Sequence, residues 1–243
     1  MSSLFGEVVY PSSRAFWSED DDDTQENDNL LIFKIDLKND ISSIKTLIIV
    51  ETDLLTDFIK DCIVNKSEVL GTISRSSTNV STLYALTDDI CVMLVNSVDL
   101  ASAGAFIDTI SSLLKKAENI IALTSNHVSQ LKTPEDNTPS FLRSLSTTKV
   151  KETVEDVPKL KQPNIVSGVA AGAVSFAEVM NQSGTLFVLY LDSFSLDSST
   201  ASPVIKLLSS LTKNALPNFS PSFSSFNKGN LYMYFKISLF TQQ

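Results

Sequence analysis

Ile90-Cys91-Val92-Met93-Leu94-Val95 is an unbroken apolar run, and its reading decides the fold. A strand solvated on one face alternates apolar and polar residues, whereas a continuous run suits a strand buried on both faces. Three further runs read the same way, at 46–50, 120–123 and 186–191. Strands buried on both faces need covering layers, and helical patterns lie between these runs. Leu54, Leu55, Phe58, Ile59, Cys62 and Ile63 form one apolar stripe, and Leu100, Ala103, Ile107, Ile110 and Leu114 form another. The second ends in Lys115 and Lys116, a favourable charge at a helix C-terminus. A third helix is predicted over 167–181, where Ala170, Ala171, Gly172 and Ala173 allow close approach to a sheet. A fourth is predicted with Ser202 as cap, Pro203 at the first helical position, and Val204, Leu207, Leu208 and Leu211 repeating along one side.

This alternation specifies an α/β fold, a three-layer sandwich with a largely parallel central sheet. Residues 67–87 read as two further strands, a hairpin on one edge with its turn at 76–79. Residues 133–139 and 147–163 are polar, proline-bearing and long, and are expected as surface loops. Folded structure is expected to begin at Leu30. The division is a flexible acidic N-terminal arm at 1–29, an α/β domain at 30–216 and a C-terminal tail at 217–243.

Composition narrows the function. With 43% hydrophobic and 19% charged residues over 243 positions, the chain can bury a substantial core. A net charge of −9 without clustered Lys and Arg argues against binding nucleic acid, because phosphate neutralisation needs such clusters. The acidic run at 19–23 reads as a solvated segment. No apolar stretch approaches the roughly 20 residues of a membrane helix, and no basic region precedes an apolar signal core, so the cytosol is the expected location. Cys62 and Cys91 lack CxxC spacing and read as buried thiols, not as a disulfide or zinc site.

No catalytic, cofactor-binding or metal-binding residues are assigned from the sequence. The one histidine, His127, lies just past the run at 120–123, where α/β sheets often place functional groups. Yet no serine sits in a GxSxG elbow, so a hydrogen-bonding role is the expectation for His127. The seven glycines form neither GxGxxG nor GxxxxGK[ST], which leaves nucleotide binding without support. Asp88 and Asp89 lie at a polar turn and are expected to be solvated. His/Cys metal-ligand spacing is lacking.

Several short motifs occur in an informative order. Leu4-Phe5-Gly6-Glu7-Val8-Val9 and Ser13-Arg14-Ala15 precede the acidic run. Leu123-Thr124, His127-Val128 and Lys132-Thr133 lead through a Pro-containing loop to Phe141-Leu142-Arg143 and Leu145. Gln162-Pro163-Asn164-Ile165-Val166 then precedes an Ala-rich helix and a strand ending Leu189-Tyr190-Leu191-Asp192. In order and separation these resemble the proteasome assembly chaperone 1 family, while residues 37–119 match it in pattern only. The resemblance implies a nucleoside-phosphorylase-like α/β domain without that activity. It also implies a cofactor-free, non-catalytic chaperone that promotes assembly of the proteasome core particle α ring as a heterodimer with proteasome assembly chaperone 2. Its other partners would be the α-type core subunits, in the cytosol and also the nucleus. Within the motifs, Asn164 reads as the end of a loop, and Phe141 with Leu142 as a loop anchor. The competing reading is a small-molecule enzyme of phosphorylase or hydrolase type, with His127 near a strand end.

Members of that family end in a hydrophobic residue, a tyrosine and one final residue, whose carboxylate pairs with a lysine between adjacent α subunits. Thr241-Gln242-Gln243 does not fit this pattern, but Leu231-Tyr232-Met233, following Gly229-Asn230, does. These three residues are the candidate proteasome anchor, with residues 234–243 as an extension. Alternatively, they belong to an apolar strand with Tyr234, Phe235, Ile237 and Leu239. If they anchor, a chain ending at Met233 is expected to bind the α ring about ten- to a hundredfold more tightly than the full chain, because only the shorter form offers a carboxylate at that point. A binding assay at fixed salt comparing both chains, and the shorter one carrying Tyr232→Ala, checks this. Equal affinities would assign binding to the domain body.

Overall fold

In the computed structural model, which describes residues 33–64, 66–96, 98–133, 139–150, 157–193 and 195–212, eight strands and four helices alternate along the chain. The strands are β1 (Phe33–Leu37), β2 (Ile44–Glu51), β3 (Glu68–Arg75), β4 (Thr78–Ala85), β5 (Ile90–Val95), β6 (Ala117–His127), β7 (Ser140–Ser146) and β8 (Ser183–Leu191). The helices are α1 (Asp53–Cys62), α2 (Ala103–Lys116), α3 (Val169–Val179) and α4 (Ser198–Leu211).

The strands form one sheet in the order β1-β3-β4-β5-β2-β6-β8-β7. Strand β2 pairs in parallel with β5 on one side and β6 on the other, and β6 pairs in parallel with β8. All other pairings are antiparallel. The sheet is therefore mixed, parallel only across its four central strands, which corrects the expectation of a largely parallel one. Part of the reason is local: β3 to β4 and β4 to β5 follow one another through short connections, and short connections reverse direction, whereas β7 runs antiparallel to β8 across a long connection that contains α3.

Successive residues of β2 face opposite sides, and each side is covered. Ile48 and Val50 pack with Phe58 and Ile59 of α1 and with Val204 and Leu208 of α4. Leu47 and Ile49 pack with Phe106 and Ile110 of α2 and Ala173 and Ala177 of α3. The three layers follow from this. Helix α3 comes close to the sheet through Ala170, Ala173 and Ala177, each fully buried. Gly172 instead faces Ile107 of α2.

Several expectations shift. Strand β6 extends well past 120–123 at both ends, and its Ser125, Asn126 and His127 pair with β8. The 68–85 hairpin turns at Ser76 (φ 57°) but is not an edge, because β1 lies outside β3. Leu100 sits in a 3-10 turn, 66% exposed, and the buried line of α2 runs through Phe106, Ile110, Leu113 and Leu114. Phe141 and Leu142, with Arg143 and Leu145, lie in β7, an edge strand paired with β8, so the first two are not a loop anchor. Part of the expected loop at 147–163 also pairs: Lys159 bridges Ser144. Cys62 and Cys91 are buried, and burial, with Asp61 adding to it, pushes the Cys62 thiol up to about 11. Asp89 lies at the turn before β5 in an exposed ion pair with Lys45 at 3.1 Å. No helix of the described residues is long and apolar enough to cross a membrane. The acidic arm at 1–29, Leu30 and the tail at 217–243 lie outside the described residues.

Helix α4 begins earlier than expected, and Pro203 lies inside it. Its cap is Asp197, whose carboxylate accepts the N–H groups of Ser199 and Thr200, both at 2.8 Å. Thr200 Oγ1 in return accepts the Asp197 N–H at 2.8 Å. The expected Ser202–Pro203 start loses to this capping box, which satisfies donors that Pro203 could not. The bond from the Thr200 backbone, with that from the Ser199 side chain, holds the Asp197 carboxyl below the usual carboxylate range. A depressed carboxyl stabilises the fold above its unfolded-state range, and this contribution is lost as pH falls through the folded value. Asp197→Ala is expected to cost about 1 kcal/mol near neutral pH. In urea denaturation followed across the acid range, its deficit against the parent chain should shrink as pH falls.

Candidate functional site

The parallel strands end on one rim of the sheet, at Glu51 in β2, His127 in β6 and Leu191 in β8. The chain crosses from one side of β2 to the other between β5 and β6, so the end of β2 is where an α/β sheet opens a crevice. Two cavities flank it. One, of about 470 Å³, is lined by Asp53, Asp57, Ser125, Asn126, His127 and Ser193 among others. The second, of about 370 Å³, lies against Glu51, Thr52, Asp53, Val95 and Val98.

Glu51 ends an apolar strand with a carboxylate, and that carboxylate is engaged. It accepts the Val169 N–H at 2.8 Å and the Ala170 N–H at 3.0 Å, one on each oxygen. These are first-turn donors of α3, which have no partner within the helix. Gly168, the residue before them, has φ 102°, and a side chain there would collide with the Glu51 carboxylate. Glycine is thus required both by conformation and by close approach.

Thr52 follows with φ 81° and ψ 134°, a backbone region that β-branched residues rarely occupy. Its carbonyl accepts the N–H groups of Leu55 and Thr56 at 3.1 and 2.9 Å, opening α1. Its hydroxyl lies 2.8 Å from that of Ser125 on β6. Strand end, helix start and neighbouring strand together hold the strained residue.

His127 caps the 3-10 turn at Val128–Gln130. Its Nδ1 accepts the Ser129 N–H at 3.1 Å, with Ser129 Oγ at 2.7 Å. Acceptance at Nδ1 leaves the proton on Nε2, which donates to the Asp192 carbonyl at 3.1 Å. A general base needs a lone pair free for the nucleophile's proton and an orienting partner. Here the Nδ1 lone pair already receives a backbone N–H, and the group on Nε2 is a neutral carbonyl. The ring ties the end of β6 to the end of β8. Among the described residues no group of three His, Cys, Asp or Glu side chains is placed to hold a metal ion.

The motif residues do structural tasks beyond this rim. Asn164 Oδ1 accepts the Lys132 N–H at 2.7 Å, and its amide nitrogen donates to the Lys161 carbonyl at 2.7 Å and to Thr133 at 3.3 Å. It therefore clasps the loop leaving β6 to the loop entering α3. Phe141 stacks on Tyr190 with centroids 5.4 Å apart, and the Arg143 guanidinium lies 4.9 Å from the Phe141 centroid. Burial pushes the Tyr190 phenol up, against the opposing pull of Asn126 and Arg143. A shallow groove of about 280 Å³ runs between β7 and α3, lined on the apolar side by Leu145, Val166, Ala171, Val174 and Leu186 and otherwise by polar residues. Its one charged lining residue, Glu178, is bonded to Thr148 N–H and Oγ1 at 2.8 and 2.9 Å. Ile165 and Val179, elsewhere on the surface, are 81% and 83% exposed. The candidate anchor, Leu231, Tyr232 and Met233, lies outside the described residues.

Sequence reasoning missed Glu51, Thr52 and Gly168. The available signal was an acidic residue directly after the apolar run at 46–50, at the C-terminal end of a strand buried on both faces.

The family model described as Proteasome assembly chaperone 4 matches residues 65–231. Mouse (Mus musculus) Proteasome assembly chaperone 1 is 33% identical over 105 residues, covering 42% of this chain and 36% of its own length. The Xenopus laevis protein of that name is 36% identical over 102 residues, covering 41% of this chain and 35% of its own length. The matched part thus spans little more than a third of these relatives. Among solved structures, Pyrococcus furiosus PbaA, an archaeal homolog of proteasome-assembly chaperone, superposes with a TM-score of 0.56 at 12% identity, covering 75% of this chain and 86% of its own. Pyrococcus furiosus PbaB, an archaeal proteasome activator, gives 0.53 at 11% identity, over 74% and 88%. At such identities these two matches speak for the fold alone.

The strain at Thr52 is directly measurable. At an ordinary position glycine is less stable than alanine by roughly 0.5–1 kcal/mol. At position 52 the order is expected to reverse, with Thr52→Gly more stable than Thr52→Ala by about 1–2 kcal/mol, since both lose the hydroxyl and only alanine keeps the strain. Denaturant unfolding of the two variants checks this, and an alanine variant at least as stable as the glycine one would contradict it.

Proposed function

From the premise that this chain belongs to the proteasome assembly chaperone family, we propose that it is a non-catalytic chaperone for assembly of the proteasome core particle α ring. The observation that carries this reading is the family match over residues 65–231, which takes in β3 through α4. It works as a heterodimer with proteasome assembly chaperone 2 and contacts α-type core subunits, in the cytosol and the nucleus. The likeness to nucleoside-phosphorylase-like domains is part of this proposal, as an inherited framework without its chemistry.

The rim of the sheet supports a role without catalysis. The position where such folds receive an anion is filled by the chain's own Glu51. The histidine in the adjoining cavity already accepts at one ring nitrogen and donates at the other. A phosphorylase or hydrolase would need those groups available to a substrate. Binding through surfaces does not, and the groove between β7 and α3, half of whose lining residues are apolar, offers area for it.

Affinity purification of the tagged chain from cells tests the reading. Recovery of α-type subunits together with proteasome assembly chaperone 2, and without mature core particle, is the expected result. Repeated recovery of neither would reject it.

A further inference from the structure

We propose that residues 157–160 are an edge guard: docked along β7, they keep the chain from pairing that strand with β7 of a second copy, and their release turns the edge into a self-association surface. The inference goes beyond the chaperone reading and stands whether or not that reading holds.

Strand β7 ends the sheet on its side, so one line of its backbone groups faces away from β8. In an antiparallel pair, residues that exchange both backbone bonds with the partner alternate with residues whose groups point outward. Ser144 marks the outward set, because its N–H donates to the Pro158 carbonyl at 2.9 Å and its carbonyl accepts the Leu160 N–H at 2.8 Å. Leu142 and Ser146, two positions away on either side, therefore also face out. Among the described residues the guard's backbone reaches only Ser144 of these three. The Leu142 carbonyl takes the Arg143 guanidinium at 2.9 Å instead.

The guard covers an edge without becoming a new one. Leu160 is buried with Ala122, Ala170, Leu186, Val188 and Tyr190 on the α3 side of the sheet. Val157 packs on the opposite side, against the cluster that includes Leu142 and Leu208, so the segment straddles the edge. Pro158 lacks an N–H and Lys159 is exposed, two features that discourage a further strand from adding. Just beyond the guard, the Asn164 amide donates to the Lys161 carbonyl at 2.7 Å and steadies the chain. The hold on β7 itself is slight: two backbone bonds, the Ser144 hydroxyl on the Val157 carbonyl at 3.2 Å, and one buried leucine.

The occupant that fits the uncovered edge is the same strand of another copy. A two-fold axis at Ser144 sets two β7 strands antiparallel, with Ser144 opposite Ser144, Leu142 opposite Ser146 and Arg143 opposite Leu145. All three outward residues then bond across the axis, where the guard bonds one. Arg143 is the one charged residue of the strand, so no like charges face each other in this register. The guard prevails because it is tethered in the same chain, at an effective concentration above that of a second copy in solution.

Sedimentation velocity of the full chain over a concentration series is the test. Leu160→Asp, which puts a carboxylate in place of the buried anchor, is expected to form a discrete dimer, with self-association about tenfold tighter than the parent's or more. Adding Leu145→Lys, at an exposed position, should return association to the parent's level, because it sets Lys against Arg143 across the axis. In the parent chain, amide hydrogen exchange should find the Ser144 and Leu160 N–H groups less protected than those of Arg143 and Leu145, which face β8, since the guard opens without unzipping β7. A folded Leu160→Asp chain that self-associates no more than the parent, or a dimer that Leu145→Lys leaves intact, overturns the proposal. Should Leu160→Asp fail to fold, Leu160→Ala takes its place with the same expected direction, and the exchange pattern of the parent decides alongside it. Ser144 and Leu160 amides as protected as those of Arg143 and Leu145 would show a fixed strand in place of a guard and overturn the proposal, and lower protection would support it.

Discussion

Leu47, Ile48, Ile49 and Val50 expose none of their surface, and the arrangement of the other elements follows from the need to bury both faces of this one strand. Each such side chain contributes on the order of 1.5–3 kcal/mol when removed from water. A strand with apolar residues on alternate faces cannot collect that stabilisation from a single layer. Helices α1 and α4 therefore cover one side of the sheet and α2 and α3 the other. The parallel partners β5 and β6 are obliged by the same demand, since helical crossovers deliver parallel strands and their own cover together.

Covering both faces creates a problem at the rim, where strands stop and helices start. First-turn N–H groups of α3 are buried against the sheet and need an acceptor, and Glu51 provides it from the end of β2. Thr52 must then turn sharply into α1, which puts it at φ 81°. Ser125 holds its hydroxyl, and α1 holds its carbonyl. At the opposite rim Gln182 serves the complementary purpose. Its side-chain amide donates to the carbonyls of Leu114 and Ala117 at 3.2 and 3.1 Å, where α2 ends. Helix ends that face the core are thus satisfied from neighbouring elements.

The far edge is built by pairing. Strand β7 lies against β8, and on its outer side the Leu160 N–H donates to the Ser144 carbonyl at 2.8 Å, while the Ser144 N–H donates to the Pro158 carbonyl at 2.9 Å. An edge strand with open backbone groups invites pairing with another chain, and this segment covers part of that edge. Asn164 fixes the following loop to the exit of β6. The motif residues that carry the family resemblance in this region hold the edge and the entry to α3 in place.

The sequence by itself determined the four parallel strands and the helices between them, because continuous apolar runs and i, i+4 stripes are local consequences of burial, and the order of its short motifs pointed to the family. It also located the 68–85 hairpin and placed Cys62 and Cys91 in the core. It misassigned what depends on partners distant in the chain. Phe141 with Leu142 passed for a loop anchor because an edge strand has too few buried positions to show its period. The start of α4 was set at Ser202–Pro203 because a proline at a helix start is a strong local signal, and only the bonds around Asp197 outweigh it. Glu51 and Gly168, 117 positions apart, meet only because β2 and α3 end and begin at the same rim. Neither residue shows that role within its own stretch of chain: the donors that reach a carboxylate and a glycine's clearance are set by what the fold brings beside them.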